Sequence, residues 1–236
     1  MKKLITLLFT LFLWSALQAQ TSLWNEVLQK HVDKQGNVAY KSLKKEDKKL
    51  AAFLRYLSKT TPNSSWSKNK EKAFWINAYN AYTLQLIIEN YPLKSILDLS
   101  ENGKMAWEIP FATVCGITYT LDHIEHTILH KKFADPRIHA ALNCASKSCP
   151  KLSKIAFTEE NIEATLHRLM KEFVNDASRN KMATKTIEIS PIFNWFQYDF
   201  TKNGSIIDYL NQYAKTTIDQ KVKILFLKYD WRLNEK

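Results

Sequence analysis

The sequence predicts an α+β fold: a mainly helical single domain with a small antiparallel or mixed sheet. Three observations predict it. Apolar stripes at helical spacing recur along most of the chain, while extended pieces are short. Hydrophobic residues make up 45% and aromatics 12%, the composition of a chain that buries a core. Four glycines and six prolines in 236 residues are too few for a barrel or sandwich built on tight turns.

The first residues stand apart from the fold. Lys2 and Lys3 precede an apolar run, Leu4–Leu13, and Ser15–Gln20 offers small residues for cleavage. This pattern predicts a secretory signal peptide over 1–19, cut after Ala19, with 20–236 as the globular domain. The run is too short for a membrane span and no second candidate follows, so no span is expected. The expected location is periplasmic or secreted. Losing Lys2 and Lys3 lowers the formal charge from +11 to +9. The remaining lysines scatter, with no Arg-rich helix, zinc-finger spacing or aromatic RNA-binding signature. A solvated surface explains them, and no nucleic-acid partner is expected.

The elements follow in order. Thr21–Val32 reads as a helix, with Trp24, Val27, Leu28 and His31 on one stripe. Gly36-Asn37 turns the chain into a short extended piece at Val38–Tyr40, and Lys45–Ser58 is a second helix. Ser67 caps a long helix that ends near Asn90, where Tyr91-Pro92 follows. The middle of that helix, AFWINAYNAYTLQLII, is apolar almost all round and belongs in the centre of the domain. Asn77 and Asn80 interrupt it on one face, either as structural amides bonding loop backbone or with one of them facing a reaction centre.

Lys94–Leu99 reads as a short helix, and Ala112–Thr120 as a hairpin with Cys115-Gly116 at its turn. Asp122 opens a helix with Glu125 three residues on, as in a capping box, carrying His123, His126 and His130. Asp135-Pro136 turns the chain into Arg137–Asn143, whose alternation predicts a strand. After the loop CASKSCP, Thr158 caps an amphipathic helix. Thr186–Ser190 is a strand, Pro191–Phe200 an aromatic-rich packing segment, Ile206–Tyr213 a helix and Val222–Leu227 a last strand.

The chemistry concentrates in DPRIHAALNCASKSCPKL at Asp135–Leu152. Pairing helix Asp122–Lys132 with strand Arg137–Asn143 puts Glu125 and His139 at one level, roughly 10 Å from the turn. A carboxylate on one imidazole nitrogen raises the basicity of the other, which makes Glu125 the orienter and His139 the base. Cys144 at the strand's end is the nucleophile, for acyl transfer or amide hydrolysis through a thioester. Asn77, Asn80 or Asn143 could donate to the oxyanion.

A straight strand would leave Cys144 roughly 16 Å from His139. So either the chain folds back after Asn143, or His123 or His126 is the base, or the histidine acts on a substrate without this thiol; Cys149, after the loop reverses, is then a second nucleophile candidate. Three cysteines in an exported chain allow at most one internal pair, and a Cys144–Cys149 disulfide would leave Cys115 free. His123, His126 and His130 could share an ion with Glu125. No HExxH pattern occurs and surface histidines explain them more cheaply, so neither metal nor cofactor is expected.

Four blocks resemble the family called domain of unknown function 547: AFWINAYNAYT at Ala73–Thr83, LDHIEHTIL at Leu121–Leu129, DPRIHAALNCASKSCPKL, and YDWRLN at Tyr229–Asn234. PIFNWFQYDF at Pro191–Phe200 fits too. The resemblance implies a bacterial exported member, with Asn77, Asn80, Glu125, His126, Arg137, His139, Asn143, Cys144, Ser148 and Cys149 as motif positions and Cys115 outside them. It is compatible with a papain- or transglutaminase-like arrangement in a rearranged order, histidine before cysteine. The expected function is a cysteine-dependent hydrolase or acyltransferase acting on a peptide or cell-envelope component. The alternative is a non-catalytic binding or scaffolding domain whose Asn/Cys/His motif is structural.

Overall fold

The computed structural model describes residues 21–236, so the predicted signal peptide lies outside the described residues. The fold is α+β and mainly helical, with sheets of two or three strands.

Helix α1 covers 21–31. The predicted second helix is α3 (Lys48–Lys59), and a further helix, α2 (Tyr40–Lys45), precedes it, the chain leaving helical geometry at Glu46. Helix α4 (Lys68–Asn90) begins as expected: the Ser67 hydroxyl accepts the Lys70 N–H at 3.1 Å. It is buried almost continuously from Lys72 to Ile88 and packs against α2, α3 and two later helices. A helix apolar on all sides is satisfied only by neighbours on all sides. Trp24 stacks on Phe53 at 5.4 Å to close the core between α1 and α3. No described helix is long and apolar enough to cross a membrane.

After a 3₁₀ turn at Ile96–Asp98 come two hairpins, β1 (Ser100–Glu101) with β2 (Lys104–Met105), and β3 (Ala112–Val114) with β4 (Ile117–Tyr119). The second turns at Cys115-Gly116, both with positive φ, where the sequence places it. A three-stranded sheet joins β5 (Lys181–Met182), β6 (Thr186–Ile189) and β7 (Lys223–Phe226), with β5–β6 antiparallel and β6–β7 parallel. Helix α6 is Ile162–Val174. Thr158 leads into it as expected: the Thr158 N–H donates to Asn161 Oδ1 at 2.9 Å, the Asn161 N–H to Thr158 Oγ1 at 3.2 Å, and the Ile162 N–H to the Thr158 carbonyl at 3.1 Å. Short helices α7 (Ile192–Trp195), α8 (Gln197–Phe200) and α9 (Ile206–Asn211) complete the chain between the strands.

Two elements near the site differ from expectation. Residues His123–His130 wind as a π-helix that runs into α5 (Lys131–Phe133). Asp122 is already helical and caps nothing; Thr120 Oγ1 accepts the His123 N–H at 2.9 Å instead. The predicted strand Arg137–Asn143 is a 3₁₀ helix, Pro136–Ala140, ending in a turn. Pro136 presets the first helical φ and Asp135 Oδ1 accepts the Arg137 N–H at 3.1 Å. Every residue from Ile138 to Asn143 is buried, so the alternation separated no inner face from an outer one.

Gly36 marks where two distant segments touch. Its φ is +81°, and a β-carbon there would lie 2.7 Å from the Lys151 Cα and 2.8 Å from the Leu152 nitrogen. Gly36→Ala is expected to cost about 2–4 kcal/mol, combining left-handed strain with an overpacked backbone contact. The fall in urea midpoint measures it.

Candidate active site around Cys144

The loop after the 3₁₀ helix presents Cys144, and amides hold it. Asn80 Nδ2 donates to the Ala141 carbonyl and Asn80 Oδ1 accepts the Asn143 N–H, both at 2.9 Å. Asn143 Nδ2 donates to the Pro150 carbonyl at 2.8 Å, and its Oδ1 accepts the Ala145 N–H at 3.0 Å and Asn234 Nδ2 at 3.2 Å. Asn234 also donates to the Gly36 carbonyl at 3.2 Å and accepts the Tyr40 hydroxyl at 2.6 Å. Each such buried amide, left unpaired, costs about 1–3 kcal/mol, so the set acts as one clamp.

The clamp imposes a turn. Ala145 has φ +60°, a conformation costing an alanine about 1–2 kcal/mol, directly after Cys144. The segment Tyr229–Asn234 straps the loop's other side. The Lys147 N–H donates to the Arg232 carbonyl at 2.8 Å, the Ser148 N–H to the Asp230 carbonyl at 3.2 Å, and the Asp230 N–H to the Ser148 hydroxyl at 2.8 Å. Arg179 Nε donates to the Cys149 carbonyl at 2.7 Å.

Within this frame three hydrogen-bonding groups surround the Cys144 sulfur: the Cys149 thiol at 2.7 Å, the Ser146 hydroxyl at 3.3 Å and the Tyr229 hydroxyl at 3.3 Å. The Cys149 bond is the chief cause that brings the Cys144 thiol down to about 7; burial opposes it, and the two hydroxyls add to it. Burial pushes Cys149 and Tyr229 the other way, each further raised by the neighbouring Cys144. Cys115, beside Leu57 in the hairpin turn, is raised chiefly by burial, with a bond to Thr61 opposing and the Glu71 carboxylate adding to it. All three cysteines are free.

Cys144 and Cys149 line a cleft of about 380 Å³ together with Glu125, His126, His139 and Tyr79. Aromatic rings wall it, Trp231 lying 5.6 Å from Trp107 and 5.9 Å from Trp195. The predicted trio of Cys144, His139 and Glu125 therefore shares one cleft. Its internal wiring differs from the expectation, however. His139 Nε2 pairs with Asp199 Oδ2 at 3.0 Å, not with Glu125. The pairing with His139, then a bond from Lys202, holds the Asp199 carboxyl well below the ordinary range. Glu125 lies instead beside Tyr79, whose phenol is raised by burial first and then by that carboxylate.

Neither Asn77 nor Asn80 lines this cleft: Asn80 is part of the clamp behind it, and Asn77 stands elsewhere. Asn77 exchanges two bonds with Phe157, at 2.7 and 3.0 Å, and accepts Trp24 Nε1 at 3.1 Å. It borders a separate cavity of about 430 Å³ whose lining includes neither cysteine nor histidine. Arg137, with Lys72, Asp135 and Glu163, forms an ion-pair cluster that anchors the 3₁₀ helix.

The π-helix supplies the imidazoles. His130 sits 4.0 Å from the His139 ring and 5.5 Å from that of His126. Burial, then the neighbouring His139 and His126, push His130 down to about 3. His123 turns to Tyr119, 5.3 Å away, out of this group. Two sets bring three potential ligand atoms within 4.8 Å of one another: Glu125, His126 and His130, and His130, His139 and Asp199. Sequence reasoning missed Asp199, Tyr229, Ser146 and Asn234 as site residues. Asp199 was visible as the lone acid in the aromatic run Pro191–Phe200.

Residues 63–174 match a family model described as "Protein of unknown function, DUF547". The match holds the long helix, the π-helix and the cysteine loop, and stops before Asp199 and the Tyr229–Asn234 strap. No curated protein and no solved structure matches the chain.

Proposed function

From the match of residues 63–174 to the DUF547 model, we propose that the chain is a member of that family and a cysteine-dependent hydrolase or acyltransferase working through a thioester. One observation carries the reading: Cys144 lines an aromatic cleft, its sulfur surrounded by three hydrogen-bonding groups and its thiol brought down to about 7. A thiol in that range is substantially ionised at neutral pH without a cationic partner.

In the proposed reaction the Cys144 thiolate attacks a carbonyl carbon and a C–S bond forms. The bond to the leaving nitrogen or oxygen then breaks, and the leaving atom takes a proton from a cleft imidazole. His139, held by Asp199, is the proposed proton carrier. Water or an acceptor amine attacks the thioester, returns a proton to the imidazole and releases the thiolate. The Tyr79 hydroxyl on the cleft wall replaces the two asparagines as the proposed oxyanion donor. The aromatic walls suit an apolar acyl group or side chain, such as a peptide or envelope component carries. Lys2, Lys3 and the Leu4–Leu13 run support export of the mature chain.

The test is alkylation by iodoacetamide across pH, followed by peptide mass spectrometry. Cys144 is expected to react with a midpoint near pH 7, and Cys115 with a midpoint above its ordinary range. Native protein in which Cys144 is quantitatively bonded to Cys149 would sink the proposal.

A second reading has its own support. Asn77, Asn80 and Asn143 all bond backbone, as in a rigid, non-catalytic binding cleft. It predicts no acyl-enzyme on incubation with activated esters, whereas the first predicts an adduct on Cys144.

A further inference from the structure

We propose that Glu125, His126 and His130 bind one divalent transition-metal ion of the zinc class at the wall of this cleft. The site does not depend on Cys144 acting as a nucleophile.

Winding brings the donors together. An α-helix turns about 100° per residue, which would spread positions 125, 126 and 130 over about 140°. The wider π-turn advances roughly 80° per residue and gathers all three onto a face about 80° wide. Their ligand atoms lie within 4.8 Å of one another. Ligands on one zinc ion stand about 3.4 Å apart, so side-chain rotations of about 1 Å complete the set. Two imidazoles and a carboxylate are a zinc donor set that leaves a fourth position open, here towards the cleft that Glu125 and His126 line.

His130 gives the independent observation. Its Nε2 is buried and has no hydrogen-bond partner among the described residues. Native structures rarely leave such an atom unpaired, and a ligated ion would satisfy it. The surroundings match a metal site as well. Asp122 Oδ1 lies 3.3 Å from His126 Nε2, the outer carboxylate that metal-binding histidines commonly have. The His139 ring packs on His130 and fixes its plane. The overlapping trio of His130, His139 and Asp199 is the weaker host. His139 and Asp199 already satisfy each other, and the Lys202 ammonium 3.1 Å from Asp199 repels a second cation.

The test is titration of the metal-free full chain with Co²⁺ and then Zn²⁺, read by visible absorption and calorimetry. One ion per chain is expected, with ligand-field bands and no sulfur-to-cobalt charge-transfer band. His126 is exposed, so His126→Ala should fold normally and weaken zinc binding by about a hundredfold. The Cys144→Ser/Cys149→Ser double variant should bind as wild type does. A sulfur charge-transfer band, loss of binding in the double serine variant, or unchanged affinity in His126→Ala would each overturn the site.

Discussion

Cys149→Ala is expected to move the alkylation midpoint of Cys144 upward by about 1–1.5 pH units, towards the ordinary thiol range. The Cys149 thiol, 2.7 Å away, is the largest cause of the depressed Cys144 value, and alanine removes it. The hydroxyls of Ser146 and Tyr229 remain at 3.3 Å and keep part of the effect. The rate at pH 7 should fall only a few-fold, because a more basic thiolate is also the better nucleophile. The midpoint is therefore the quantity to read. The sign separates two states of the native protein. If the sulfurs were bonded to each other, Cys149→Ala would free Cys144 and speed its alkylation. If Cys149 is a hydrogen-bond donor, the same substitution slows it.

Asn143→Ala is expected to destabilise the fold by about 3–5 kcal/mol. Its side chain closes three bonds, to the Pro150 carbonyl, the Ala145 N–H and Asn234 Nδ2, and alanine leaves those buried groups without partners. Urea unfolding measures the loss. Asn194→Ala, at an exposed position, serves as the control and should stay within about 0.5 kcal/mol of wild type. Equal stabilities for the two variants would mean that water replaces the clamp and that the amides do not hold the loop.

Much of the scaffold was legible in the sequence because local rules decide it. Ser67 caps α4, Tyr91 ends it, and its all-round apolar surface put it at the centre. The Cys115-Gly116 turn followed from two short extended runs around a glycine. The lining of the cleft was legible in part, but its wiring was not. Cys144, His139 and Glu125 do share a cleft, yet His139 found Asp199, sixty residues further along the chain. Spacing arguments reach only partners on adjacent elements, and this one comes from α8. Period reasoning failed at Arg137–Asn143 because burial on both faces erases the contrast that a period reports. The π-helix could not be anticipated either: an extra residue per turn has no composition signature, and periodicity at Asp122–Lys132 fits an α-helix as readily.

The strap at Tyr229–Asn234 also orders events in time. It supplies the Tyr229 hydroxyl to the sulfur, three backbone partners to the loop and the Asn234 amide to the clamp. During synthesis the cysteines emerge about eighty residues before these groups do. Until the strap docks, Cys144 therefore lacks the Tyr229 hydroxyl and its loop lacks part of the clamp. Chains stalled before Tyr229 should show a Cys144 alkylation midpoint nearer to the ordinary thiol range than the complete chain does.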